Sequence, residues 1–158
     1  MRQRDGIAVL LATCGGVGRL PVAPGTWGSI VGLGLGVLSA RCLGAGVAIP
    51  MLLIGFVVCA AICTRAERAL GLHDPPAVNL DEVWGMAAVI MVWPHLAGRL
   101  APLSLAFLFF RLFDMVKPPP LQRLAKLPRG WGIMADDAGA TAYTLLALWA
   151  IRSTRGFV

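Results

Sequence analysis

The sequence predicts an all-α membrane protein: a small polytopic helical bundle with short or re-entrant helices and a polar site at one membrane face. Three observations carry that reading. Hydrophobic residues make up 58% of the 158-residue chain and charged residues 14%, against roughly 45–50% and 25% in soluble domains. A domain of this size keeps a large surface relative to its volume, so water is a poor solvent for so much apolar surface. The apolar residues also gather into runs, and most of the few acids sit at the borders of those runs. By length the chain reads as a single domain over residues 1–158.

Arg2 and Arg4 precede a first apolar stretch, 7–13. It is short for a signal peptide, Asp5 interrupts its flank, and 11–14 only loosely imitates a lipoprotein cleavage site. The run 30–40 passes Arg41 toward residue 49, and Gly32, Gly34 and Gly36 alternate within it. Such glycines weaken an isolated helix but permit close helix–helix approach. The run 50–64 carries no charge; 83–96 has Trp84 and Trp93 near its ends; 101–110 leads into Arg111; and 138–151 ends at Arg152. Several runs fall short of the ~20 residues of a spanning helix. They are expected to tilt, re-enter or be extended by the snorkelling of Arg41 and Arg99, giving three to five membrane helices.

Between the runs lie polar segments at 15–29, 65–82 and 117–137, and hairpins over 30–64 and 83–110 would return all three to one face. Arg65, Arg68, Lys117, Arg123, Lys126 and Arg129 mark that face as cytoplasmic under the positive-inside rule. The net charge of +6 suits a protein working on anionic headgroups. A nucleic-acid partner is excluded, since no basic, soluble, aromatic-bearing module is visible. Cys14, Cys42, Cys59 and Cys63 lack zinc-like spacing. Cys59 and Cys63 share a helix face and read as small buried apolar residues.

Only eight acidic residues occur, and Asp81-Glu82, Asp114 and Asp136-Asp137 each abut an apolar run. Carboxylates at a membrane border are costly unless paired or bound to metal. Meeting at one face, the three sets would supply the oxygen donors that a hard cation such as Mg²⁺ prefers. The plainer alternative is that they neutralise neighbouring Arg and Lys. Arg111, Asp114 and Lys117 recur at i, i+3, i+6 on one side of a helix that Pro118, Pro119 and Pro120 end. That stripe suits a phosphate clamp, or a snorkelling Arg with an intrahelical salt bridge. In the segment 21–29, Pro-Val-Ala-Pro-Gly-Thr-Trp-Gly-Ser, Thr26 and Ser29 suit helix caps and free backbone N–H groups suit an anion; the residues alone favour neither. No Walker loop is present. His73-Asp74 reads as a solvated turn rather than a proton-transfer pair, and His95 as structural.

These motifs converge: the chain resembles the phosphatidylglycerophosphatase A family of small magnesium-dependent bacterial membrane enzymes. Four blocks in order carry the resemblance: residues 21–29; His73-Asp74 leading to Asp81-Glu82-Val83-Trp84-Gly85-Met86; Phe110-Arg111-Leu112-Phe113-Asp114-Met115-Val116-Lys117-Pro118; and Gly132-Ile133-Met134-Ala135-Asp136-Asp137. They span about residues 15 to 141. Thr141 stands where the family usually has Gly, with Gly139 nearby, and Pro119 replaces a frequent aromatic residue.

The resemblance implies hydrolysis of phosphatidylglycerophosphate to phosphatidylglycerol and phosphate in a multi-pass protein of the bacterial cytoplasmic (inner) membrane, with Mg²⁺ as cofactor and the lipid and bilayer as partners. It implies Glu82, Asp114 and Asp137 as metal ligands, with Asp81 and Asp136 as further ligands or beside them. Arg111 and Lys117 would stabilise charge on the transferred group, and the loop of Pro24, Gly25, Thr26, Gly28 and Ser29 would orient the headgroup. The sequence is silent on oligomeric state. Two other lipid-enzyme classes lack their motifs here: the spaced Asp array of the CDP-alcohol phosphotransferases, and the Pro-Ser-Gly-His block of histidine-dependent lipid phosphatases. The remaining rival is a small membrane cation transporter or channel, which requires its acids mid-span rather than at one border.

Overall fold

The structure, a computed structural model, describes residues 3–155, which leaves Arg2 outside the described part. Its regular elements are all helical. Helix α1, Gln3–Ala12, buries Ala8, Val9 and Ala12 and packs on α3, Ala45–Leu70. A 3₁₀ segment, Cys14–Arg19, then turns the chain through Gly15 and Gly16, whose positive φ angles of 71° and 100° cost little without a Cβ.

Helix α2, Pro24–Cys42, begins ahead of the apolar run that announces it. Pro24 has a φ already suited to a first helical turn, and no N–H that would go unbonded there. The residue before it, Ala23, is left-handed at φ 47°, and no side chain caps the helix. Of the two readings left open for Thr26 and Ser29, helix capping is therefore ruled out. Both lie inside the helix, and the Ser29 hydroxyl donates back to the Gly25 carbonyl at 2.9 Å.

Residues 43 and 44 break the apolar stretch after α2, so residues 30–49 belong to two helices rather than one run. Helix α3 ends at Gly71, left-handed at φ 68°, whose N–H donates to the Glu67 carbonyl at 2.9 Å. Within it, Gly46–Leu70 is the one described helix long and apolar enough to cross a membrane, and only 17% of its most apolar stretch is buried. The several passes expected from the sequence are matched, on length and composition, by this helix alone among the described residues.

Helix α4, Leu80–Val92, is the centre of the molecule, packed against α2, α3 and α7, Gly130–Arg155. Its contact with α2 is the most extensive between helices among the described residues. Gly25, Gly28, Gly32 and Gly36 lie three or four residues apart, on one face of α2. A Cβ on Gly32 would collide with the Val83 backbone, and one on Gly36 would come within 3.0 Å of the Ala87 Cα. Gly34 faces open space, so alternation is not what the glycines are for. Because α2 sits mainly on α4, while α3 sits on α1, α7 and α4, residues 30–64 double back without packing as the compact hairpin expected.

A 3₁₀ segment, Pro94–Gly98, reverses the chain into α5, Leu100–Val116. Lys117 ends α5 in the left-handed region at φ 46°. It therefore leaves the stripe it was expected to share with Arg111 and Asp114. The short α6, Leu121–Leu124, leads to α7, which starts eight residues before its apolar run. Gly130 permits this, because its backbone presses on Ala60 and Thr64 of α3. Met86, Val89, Ile90, Phe110, Leu121 and Leu148 fill one core; Val9, Ala60, Cys63, Ala66 and Met134 fill another. Thr141 donates to the Gly85 carbonyl at 3.0 Å, so the residue that departs from the family pattern is used in helix packing. His95, expected to be structural, is exposed.

Candidate active site

The first turns of α2 and α4, the last turn of α5, the early turns of α7 and the loop before α4 meet around a polar cleft of about 340 Å³. Chain segments far apart in sequence each contribute. Pro24 and Gly25 come from α2, Asp81 and Glu82 from α4, Arg111 and Asp114 from α5, Lys117 from the turn after it, and Asp136 and Asp137 from α7. Nine of the residues singled out from the sequence thus line one space. Thr26, Gly28 and Ser29 do not. Gly28 instead lets α2 close onto Asn79, whose Cβ would lie 3.0 Å from an added methyl.

Arg111 organises one wall. Its Nη1 donates to Asp114 Oδ2 at 2.7 Å and to Ser29 Oγ at 3.4 Å, and stands 4.0 Å from Glu82 Oε1. Gly25 explains how α2 reaches this wall, since a Cβ there would collide with Glu82 Oε1 and lie 3.2 Å from Arg111 Nη1. Lys117 also lines the cleft and donates to Asp136 Oδ2. Burial works against its charge, but Asp136 outweighs burial and holds the Lys117 pKa above its ordinary value. In the first turn of α4, burial chiefly, then the neighbouring Glu82, raises the Asp81 carboxyl well above the usual range. Burial likewise pushes Glu82 up to about 7, with Asp114 adding to the rise and Arg111 opposing it.

Four buried carboxylate oxygens in the cleft lack any hydrogen-bond partner: Asp81 Oδ1, Glu82 Oε2, Asp136 Oδ1 and Asp137 Oδ2. Buried charge without a partner is costly, and hard oxygen donors of this kind fit a cation such as Mg²⁺. Among the described residues, no three His, Cys, Asp or Glu side chains form a ready-made coordination group. Mg²⁺ does not require one, because it commonly uses one or two carboxylates and completes its shell with water and phosphate oxygens. The donor chemistry fits.

Three residues near the site were missed from the sequence. Asp74, expected in a solvated turn, is exposed but lines the cleft, in the left-handed region at φ 47°. Its position is fixed by Glu67, 5% exposed, whose Oε1 accepts from the Asp74 N–H and bonds His73 Nδ1, both at 2.9 Å. An acid standing between Arg65 and Arg68 on an apolar helix was the available signal. Asn79, fully buried, donates through Nδ2 to the Pro24 carbonyl at 3.4 Å and through its backbone N–H to Ala12 at 3.0 Å. It joins the starts of α2 and α4, and nothing in the sequence distinguishes it.

The sequence profile of phosphatidylglycerophosphatase A matches residues 10–152. The chain belongs to that family. Membership makes it a phosphatase, and every residue named in the cleft falls inside the matched span. It is 35% identical to a phosphatidylglycerophosphatase A of Haemophilus influenzae over 90% of this chain and 87% of that one. A phosphatidylglycerophosphatase A of Escherichia coli is 30% identical over 81% and 73%. A Bacteroides thetaiotaomicron protein with the provisional name phosphatidylinositol-3-phosphatase is 31% identical over 96% and 99%. No solved structure matches the chain.

Proposed function

We propose that this phosphatase hydrolyses phosphatidylglycerophosphate to phosphatidylglycerol and inorganic phosphate, the last step of phosphatidylglycerol synthesis. It would do so with Mg²⁺, as a multi-pass protein of a bacterial inner membrane with its cleft toward the cytoplasm. The observation that carries the reading is the cleft. Residues with unpartnered carboxylate oxygens and two cations, Arg111 and Lys117, line one space of about 340 Å³. The names of two relatives support the headgroup.

In the net reaction a water oxygen bonds to phosphorus, the ester bond to the glycerol oxygen breaks, and that oxygen takes up a proton. Arg111 presents a planar fork to phosphoryl oxygens while Asp114 fixes its orientation. Lys117, held by Asp136, supplies a second positive charge to the cleft, to stabilise the charge that grows as the ester bond breaks. Pro24 and Gly25 let the start of α2 approach the headgroup with backbone alone. Glu82, Asp114 and Asp137 are the residues we assign as Mg²⁺ donors, with Asp81 and Asp136 beside them. One or two of these carboxylates at a time would hold the ion, and water and phosphate oxygens would complete its shell. When bound, the ion would neutralise phosphoryl charge and favour attack by water.

The test is phosphate release by purified protein from labelled phosphatidylglycerophosphate. Release with Mg²⁺ that stops on adding EDTA is expected; equal release without metal would refute the cofactor. A parallel assay with phosphatidylinositol-3-phosphate addresses the substrate named for the Bacteroides relative. Faster turnover of that lipid would overturn the glycerophosphate assignment while leaving the phosphatase standing.

A further inference from the structure

A second groove, of about 420 Å³, runs between α1 and α3 and shares no residue with the carboxylate cleft. Arg4 and Arg65 line it together, and Ile7, Leu11, Val58 and Ile62 supply its apolar part. On α1, Arg4 lies about two turns from Leu11, and on α3, Arg65 lies about two turns from Val58. Each wall of the groove therefore offers a basic group and an apolar stretch.

Neither arginine forms a salt bridge with an acid among the described residues, and both are exposed. One wall of the groove is α3, the helix whose length and apolarity suit a membrane and whose surface is mostly uncovered. Leu11 and Val58 are about half exposed, at 49% and 50%. A free peptide would match the apolar part and a free phosphate the arginines. An amphiphile with an anionic head matches both, and the bilayer surrounding α3 supplies it.

We propose that this groove is a non-catalytic binding site for an anionic phospholipid of the surrounding membrane. Its phosphate lies between Arg4 and Arg65, and an acyl chain lies against Leu11 and Val58. The site needs the chain to reside in a membrane but does not depend on any hydrolytic reaction. The lipid lies against both α1 and α3, and none of its contacts is a residue of the cleft.

Native mass spectrometry of the full chain in detergent tests this, using phosphatidylserine, which is neither substrate nor product of the proposed reaction, and phosphatidylcholine with identical acyl chains. Two guanidinium groups predict retention of phosphatidylserine over phosphatidylcholine by on the order of tenfold. The double variant Arg4→Gln/Arg65→Gln should lose that preference. Ala61→Trp, which fills the groove and keeps both arginines, should lose it too. Arg123→Gln/Lys126→Gln, at exposed basic residues elsewhere, should keep it. Equal loss in this last variant would overturn the proposal in favour of a general charge effect. So would displacement of the lipid by inorganic phosphate, or a groove-dependent dimer that retains no lipid. Turnover is not the readout, so failure of the phosphatase assignment and failure of this site are distinguishable.

Discussion

Asp114 gives one oxygen to Arg111 and faces the cleft, so its charge has two uses. Asp114→Asn keeps the shape and removes that charge. Turnover should vanish while circular dichroism in detergent stays as in the parent; unchanged turnover would remove Asp114 from the site. Arg111→Lys keeps the charge but loses the fork. A drop of roughly 10²–10³ in kcat is expected, the scale of a lost charge-stabilising donor. Glu67→Ala acts from farther away, leaving the Asp74 N–H and His73 without their acceptor. About 1–3 kcal/mol is the usual penalty for such a loss, and faster hydrogen exchange at the Asp74 amide should report it. At this scale the acids at the borders of apolar runs were legible, because scarcity marked them. Asp74 and Glu67 were not, because a carboxylate holding a loop from six and seven residues away leaves no periodic trace.

The pairing of α2 with α4 rests on residues without side chains. Gly32→Ala pushes a methyl into the Val83 backbone, and overpacking of that kind costs about 1–3 kcal/mol. Gly34→Ala meets nothing and should be neutral or stabilise by up to about 1 kcal/mol. Thermal melts of the two variants should therefore move in opposite directions or only the first should move. If they fall equally, Gly32 does not face α4 and the close contact between the two helices is wrong. The helices themselves were readable from hydropathy, but their starts were not. Pro24 and Gly25 on α2, and Asp136 and Asp137 on α7, turn toward a polar cleft, and the glycines and acids of these first turns break the apolar count that marks the rest of each helix. Likewise Lys117 kept the spacing of a helical stripe, and only its left-handed backbone, set before three prolines, takes it off the helix.

Across the molecule, the gathering of three polar segments at one face was foreseeable from two doublings of the chain, whereas the insertion of α4 between α2 and α3 was not, since packing partners depend on which glycine faces where. Helix α2 has 19 residues, about 28 Å at the standard rise, so it has the length but not the apolarity of a span across ~30 Å of hydrocarbon. The proposed multi-pass topology, with α2 as a crossing, expects Cys42, exposed at the far end of α2, to react with an impermeant thiol reagent from the side opposite to single cysteines placed at Leu20, Pro76 and Lys126. Labelling of all four from one side would exclude α2 as a crossing. The cleft itself draws on α2, α4, α5 and α7, and its last two acids arrive near the end of the chain. During synthesis, Asp81, Glu82 and Asp114 are therefore in place before Asp136 arrives to anchor Lys117. A chain stopped short of α7 lacks that anchor and two of the acids of the cleft, so phosphate release is expected only once translation has passed α7.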